Sequence, residues 1–339
     1  MLPSRFDGVP LFFSQEALTA LQYPPVSEQV KKRSRFLLSF ASGQLVSEQG
    51  AFGGTVVDAN ALGWALSAIS SRAFRLRGPS EPASMLPLID MCNHSFQSAN
   101  CEVKQGSQGQ AVLVANNRIA PGEPLLICYG KTLNNDLLLL DYGFVEHNSA
   151  VDTCALRFSG GLVDLAREVA GLGHVPFGAS SHEAEGDGVA AQPWQQAILA
   201  ELGLVGPGAN LEVLMGGHDA VDPRLLAALR VLYTQDGVLL STMAPAQRVH
   251  SLTATQPGGA VSPAVERCAL ATAAAVCAVT LSQWPTTLAQ DEGLLSSSQG
   301  AALPPDVRLA TRFRAEKKRC LSTALAKLKA RLEQAARGA

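Results

Sequence analysis

The stretch LIDMCNHS, at residues 88–95, decides how this chain is interpreted. A short apolar run leads into Asp90, and Asn93, His94 and Ser95 follow it closely. We expect a strand that ends in this cluster of short polar side chains, where backbone N–H and C=O groups become free to bind a ligand. A histidine in an isolated motif of this kind is more often satisfied by the fold than used for binding. The stretch therefore needs support from elsewhere in the chain.

Three further segments supply that support. They are SRAF at residues 71–74, GEPLLICYG at 122–130 and NDLLLLDYGF at 135–144. The first ends a helix with an apolar face, the second is typical of a turn followed by an apolar strand, and the third predicts a short helix. Taken singly, Arg72 would be a surface arginine with a buried stem. Tyr129 and Tyr142 would each be a core residue more often than not.

Together, the four segments resemble the SET domain, and most closely the branch that contains the plastid Rubisco large-subunit lysine methyltransferases. The resemblance implies methyl transfer from S-adenosylmethionine to a lysine of a protein substrate, without a metal ion. It assigns cofactor contacts to Arg72, Asp90, Asn93 and His94. In the family, the arginine binds the carboxylate of the methionine moiety through a charge-assisted contact. Asp90 could help to order this pocket, or it could cap a turn.

The resemblance also implies how the reaction would be catalysed. The attacking amine must lose its proton and align with the breaking C–S bond. Free lysine, with a pKa of about 10.4, is mostly charged at neutral pH, and a narrow desolvated channel lowers that pKa because burial disfavours the ammonium. Tyr129 matches the family's catalytic tyrosine. Tyr142 matches an aromatic wall of the lysine channel, and Phe144 beside it is the expected substrate contact.

The composition fits a globular protein of two domains. The chain has 339 residues, of which 47% are hydrophobic, and its 27 basic and 29 acidic residues nearly cancel. This balance gives no field that would favour nucleic acid or a membrane surface. The longest apolar run, Cys268 to Leu281, is shorter than the roughly 20 residues that cross a bilayer, so we expect a buried helix. The seven scattered cysteines indicate neither a disulfide framework nor a zinc site.

The predicted fold class is α+β. Residues 1–150 are expected to form a β-rich SET domain with a helical insert at about residues 14–74. Residues 151–339 are expected to form an all-α domain of the kind that binds the protein substrate in this family. We expect a monomer that binds a protein substrate. We expect neither nucleic acid nor a membrane as a partner.

Local signals place several helices. Ser14 and Asn60 are candidate N-caps for two helices of the insert. The basic residues at positions 31–35 are expected to form a solvated face. In the second domain, Asp222-Pro223 and Ser262-Pro263 each place a capping residue before a proline, which predicts two helix starts.

The beginning of the chain departs from the family pattern. SET domains start with a strand pair whose Gly-x-Gly turn lies close to the cofactor, whereas FGG at residues 52–54 precedes a predicted helix. We therefore expect the first strands of the domain to be missing. The alternative function is then a catalytically impaired protein-binding module, and a plain helical scaffold is a third interpretation. The compartment, chloroplast or cytoplasm, stays open, because missing N-terminal residues would include any targeting signal. Neither a secretory signal nor a membrane span is indicated.

Overall fold

The computed structural model describes residues 2–76, 80, 82–175, 189–256 and 259–337. These residues form an α+β chain, as predicted, and they divide into two compact units. The first unit comprises Met1–His147 and Ser297–Arg314, and the second comprises Asn148–Ser296 and Ala315–Ala339. The two continuous domains expected from the sequence differ from these units in two respects. The first segment of unit 1 ends at His147 rather than at residue 150, and residues 297–314 lie in the first unit.

The first unit begins with the helices of the predicted insert. They are α1 (Gln15–Ala20), α2 (Pro24–Ser42), α3 (Gln44–Ser47) and α4 (Ala59–Arg72). The predicted N-cap of α1 is confirmed, since the Ser14 hydroxyl accepts the N–H of Ala17 at 3.2 Å. The predicted cap of α4 is wrong. Asp58 takes the place of Asn60, because its carboxylate accepts the N–H of Ala61 at 2.8 Å and the helix therefore begins earlier.

Short strands follow the helices. They are β1 (Ala73–Phe74), β2 (Ser84–Met85), β3 (Asn93–His94), β4 (Cys101–Gln105), β5 (Ala111–Ala115) and β6 (Leu126–Ile127). Antiparallel pairs form between β1 and β2 and between β4 and β5, and β3 pairs with β6 in parallel. The parallel pair sets His94 opposite Ile127. Two motifs that lie far apart in the sequence thereby become neighbours.

The strand expected to lead into Asp90 is absent from this described part of the chain. Leu88 has a left-handed backbone with φ 74°, and Ile89–Met91 form a 3-10 turn, so extended structure begins only at Asn93. The apolar pattern predicts a strand, but a positive φ at a leucine interrupts any extended run. Asp90 consequently lies in a turn.

The predicted short helix at residues 134–142 has two parts. One turn of α-helix, α5 (Asn135–Leu137), widens into a π-helical turn over Leu138–Tyr142. Gly143 ends this turn with φ 77°, and a Cβ atom there would lie 2.8 Å from the carbonyl carbon of Gly8. Both the backbone angle and the close approach therefore require glycine.

The second unit is mostly helical. Its helices are α6 (Gly160–Val169), α7 (Pro193–Glu201), α8 (Pro223–Tyr233), α9 (Val238–Thr242), α10 (Pro245–Thr253), α11 (Pro263–Ser282) and α12 (Leu288–Ser296). The helical character is confirmed, but the expectation that this part lacks strands is corrected. An antiparallel sheet joins β7 (Thr153–Arg157), β8 (Glu212–Gly216) and β9 (Ala220–Val221). Burial alternates along β8, yet a run of five residues is too short to stand out from helical patterns.

Two further helices complete the chain. Helix α13 (Ser298–Ala301) belongs to the first unit, and α14 (Pro305–Arg337) begins there and ends in the second. The two helix starts predicted from Asp222 and Ser262 are confirmed, each with proline at the first turn of its helix. Among the described residues, α11 alone is long and apolar enough to cross a membrane, and 56% of its apolar window is buried. It packs against α6 and α8, as expected of a core helix.

Candidate functional site

Strands β3 and β6 bring His94 beside Tyr129. The backbone N–H of Tyr129 donates to Nδ1 of His94 at 3.1 Å. Because Nδ1 accepts, the neutral ring carries its proton on Nε2. Nε2 is buried and has no hydrogen-bond partner among the described residues. Burial lowers the pKa of His94, so the ring is neutral at neutral pH and presents a buried, unsatisfied donor.

A cluster of aromatic rings surrounds this histidine. The His94 ring lies 4.4 Å from Phe96, 5.1 Å from Tyr129 and 5.8 Å from Phe144, measured between centroids. Tyr129 and Tyr142 stack at 4.9 Å with 25° between their planes. A methylene chain between two rings needs about 7 Å, since each carbon contact takes about 3.5 Å. An aliphatic side chain would therefore approach the edges or outer faces of this stack.

The Tyr129 hydroxyl has a fixed direction. It donates to the carbonyl oxygen of Cys92 at 2.8 Å, which leaves the lone pairs of the phenolic oxygen available as acceptors. Burial raises the pKa of Tyr129 and of Tyr142, and the Asp141 carboxylate raises that of Tyr142 further. Both phenols are therefore neutral at neutral pH. Tyr129 can orient a donor, but it is not a phenolate base.

Arg72 ends α4 and contacts the turn that contains Asp90. Its Nη1 donates to the Asp90 carbonyl at 2.9 Å and lies 3.5 Å from the Asp90 carboxylate. The Nε of Arg72 is buried without a hydrogen-bond partner in the described part of the chain. Burial is the main influence on the pKa of Tyr129 and raises it. The nearby charge of Arg72 lowers that pKa, and the charge of Asp90 raises it. The ion pair therefore lies within electrostatic reach of the tyrosine.

Asn93 lies apart from this cluster. It precedes His94 in β3, and successive strand residues point to opposite faces. Its side chain is exposed, whereas His94 is half-buried. The fold thus brings together six of the seven residues named from the sequence and places Asn93 on the other side of the strand.

Three contributing residues were not predicted from the sequence. Phe96 packs edge-on against the histidine ring. Asn135 is fully buried, and its amide exchanges two hydrogen bonds with the backbone of Glu146, at 2.8 and 3.1 Å. Arg33, expected on a solvated face, pairs with Asp141 instead. Helical periodicity marks the faces of a helix but does not reveal partners that lie far along the chain.

Two protein-family models match this chain. The model of the SET domain matches residues 18–130. This stretch of the chain is a SET domain. A second model, described as Rubisco LSMT substrate-binding, matches residues 190–321. The order of a SET domain followed by a helical substrate-binding domain is therefore confirmed.

Solved structures share this SET-domain fold. One, the crystal structure of the SET domain of LSMT bound to lysine and AdoHcy, has 19% identity and a TM-score of 0.65. Another, Rubisco LSMT bound to AdoMet, has 18% identity and a TM-score of 0.64. Each alignment covers 98% of this chain and 70% of the other. No curated protein sequence matches the chain.

The SET-domain match includes part of the candidate site. Arg72 and Tyr129 fall within the matched residues, and Tyr142 and Phe144 follow them. The aromatic contacts join both groups, since Tyr142 stacks on Tyr129. The roles of the individual residues stay predictions.

Proposed function

We propose that this SET-domain protein transfers a methyl group from S-adenosylmethionine to the side-chain amine of a lysine in a protein substrate. The observation that carries the proposal is an aromatic cluster beside two buried donors that have no hydrogen-bond partner among the described residues. The donors are Arg72 Nε and His94 Nε2, and the cluster surrounds Tyr129. The two matched domains support the same chemistry, as do the solved LSMT structures bound to lysine and AdoHcy and to AdoMet.

The residues near β3 suit such a cofactor. Arg72 offers a delocalised cation and a buried N–H that would bind a carboxylate, with Asp90 holding the guanidinium in place. His94 Nε2–H needs an acceptor, which a polar ligand would provide. Asn93 lies on the opposite face of β3 from His94, so its exposed amide would contact a ligand only from that face. When bound, S-adenosylmethionine supplies an electrophilic methyl group on a sulfonium centre.

The aromatic residues would prepare the amine. Tyr129 donates to Cys92, so its oxygen can accept an amine N–H and orient the nitrogen lone pair. Tyr142 and Phe144 offer aromatic faces that attract the arriving ammonium and exclude water. Desolvation then lowers the lysine pKa. Because both phenols are neutral, neither can act as a phenolate base. The lysine ammonium therefore loses its proton to solvent.

The direct test is incorporation of labelled methyl. Protein extracts would be incubated with the chain and methyl-tritiated S-adenosylmethionine, hydrolysed and analysed for methyllysine. We expect labelled methyllysine, and we expect Tyr129→Phe to slow its formation at least about tenfold through loss of amine alignment.

A matched tyrosine serves as the control. Tyr233 lies in the second unit, with its hydroxyl 2.7 Å from Thr272 Oγ1, so Tyr233→Phe should keep the rate. Absence of labelled methyllysine with the unmodified chain, or equal rates with and without the Tyr129 hydroxyl, would contradict the proposal.

A further inference from the structure

A cation from the helical insert reaches the turn that carries Tyr142. Arg33 lies in α2, and its Nη2 is 2.7 Å from the Asp141 carboxylate. Its Nη1 donates to the carbonyl oxygen of Leu140 at 2.9 Å. The two contacts fall on the two residues directly before Tyr142. A guanidinium that binds at two points fixes direction as well as distance.

This contact falls on an unusual piece of backbone. Leu138–Tyr142 form a π-helical turn, a rare conformation that is frequent at functional sites. Apolar packing holds its first three residues, since Leu138, Leu139 and Leu140 are buried. Asp141 and Tyr142 are only partly buried, so a polar contact can add to the packing of Gly143 against Gly8 at that end of the turn. Arg33 supplies it.

Arg33 also differs from its neighbours on α2. Its side chain is 29% exposed and that of Asp141 is 24% exposed, so solvent screens the pair only in part. Lys31, by contrast, forms an exposed pair with Glu28, and Lys32 is exposed. A single arginine of this basic run is therefore placed to act on the site.

We propose that Arg33 is a positioning residue that sets the Tyr142 ring against Tyr129 and thereby shapes the lysine-binding wall. The Tyr142 ring stacks on Tyr129 at 4.9 Å, so a displacement of the π-helical turn would change the arrangement of both rings. The use of this wall rests on the proposed function. The position of the ring, however, can be measured without turnover.

Tyrosine-selective NMR tests the proposal. The chain contains four tyrosines, so ¹³C-labelled tyrosine gives a small set of ring signals that Tyr→Phe variants assign. Arg33→Gln should shift the ring signals of Tyr142 and Tyr129 and leave Tyr233 in place. Lys32→Gln, the neighbouring exposed cation, should shift none of them. Unchanged signals of Tyr142 in Arg33→Gln would overturn the proposal.

A second set of variants examines the partner. Asp141→Asn should displace the same signals, and the double variant with Arg33→Gln should displace them by less than the sum of the two single variants, because both changes remove the ion pair between Arg33 and Asp141. Additive shifts would contradict the pairing. If Arg33→Gln does not fold, Arg33→Lys keeps the charge but loses the two-point contact. It should shift the Tyr142 signals less than Asp141→Asn does, and unchanged signals would again overturn the proposal.

Turnover separates this inference from the proposed function. In the methyllysine assay, Arg33→Gln should lower kcat/KM about tenfold or more through misplacement of the wall, with unchanged affinity for S-adenosylhomocysteine. Lys32→Gln should leave both quantities unchanged. Ring shifts without any methylation by the unmodified chain would refute the proposed function but support the positioning role. Normal turnover by Arg33→Gln would refute the positioning role alone.

Discussion

The buried amide of Asn135 closes the segment that carries both Tyr142 and Phe144. Its Oδ1 accepts the N–H of Glu146 at 2.8 Å, and its Nδ2 donates to the Glu146 carbonyl at 3.1 Å. Asn135→Ala would take both partners away from the backbone of the half-buried Glu146, at the fully buried position of the amide. Each unsatisfied group costs about 1–3 kcal/mol. We therefore expect the free energy of unfolding of the first unit to fall by about 2–6 kcal/mol.

Urea denaturation followed by tryptophan fluorescence measures this loss. Trp64 reports on the first unit, where its Nε1 donates to the carbonyl of Pro3 at 3.0 Å. The other two tryptophans, Trp194 and Trp284, lie in the second unit and would be replaced by phenylalanine in the background protein. The midpoint should fall while the slope is retained, because the surface exposed on unfolding is unchanged.

The preceding residue provides a matched control. Asn134 caps α5, and its side chain accepts the N–H of Leu137 at 3.1 Å. Loss of an N-cap costs about 1 kcal/mol, so Asn134→Ala should destabilise less than Asn135→Ala does. A loss at Asn135 no larger than the loss at Asn134 would refute the reasoning that the buried amide holds this segment.

Two further predictions concern charge and burial. Burial lowers the pKa of His94 from 6.5. Below pH 6.5 the unfolded chain therefore takes up the proton before the folded chain does, and the free energy of unfolding should fall as the pH drops. Urea midpoints at a series of pH values should show this decline, and the decline should be smaller in His94→Gln. Lys318 and Asp291 form an ion pair at 2.5 Å in which each side chain is 1% exposed. Asp291→Ala would remove the carboxylate that pairs with this buried lysine, while the lysine keeps its hydrogen bond to Thr286, and it should cost about 3–5 kcal/mol in calorimetry. A loss below about 1 kcal/mol, typical of a surface pair, would contradict this account.

Much of the fold could be predicted where the signal is local. A capping residue before proline predicts the starts of α8 and α11. The conformation of Leu88 could not be predicted, because its apolar neighbours favour a strand and the φ of 74° follows from tertiary context. The short strands of the second unit could not be predicted for the same reason, because tertiary context determines them.

Some residues of the candidate site could be predicted from local motifs, whereas others depend on contacts between distant parts of the chain. Tyr129, Tyr142 and His94 belong to motifs that carry their own spacing, and the structure brings these three rings together. Arg33 belongs to no motif, and the carbonyl that it contacts lies 107 residues later in the chain. Asn135 is polar and stands among polar neighbours, so nothing in the sequence marks it as buried.

The measurement that tests the central claim most directly is isothermal titration of this chain with S-adenosylhomocysteine. We expect binding at a single site, and we expect Arg72→Ala to weaken it about tenfold or more, since a charge-assisted hydrogen bond contributes about 1.5–3 kcal/mol. Arg35→Ala, in the basic run of α2, should not change the affinity. Absence of detectable binding by the unmodified chain would contradict the methyltransferase account and favour a protein-binding module instead.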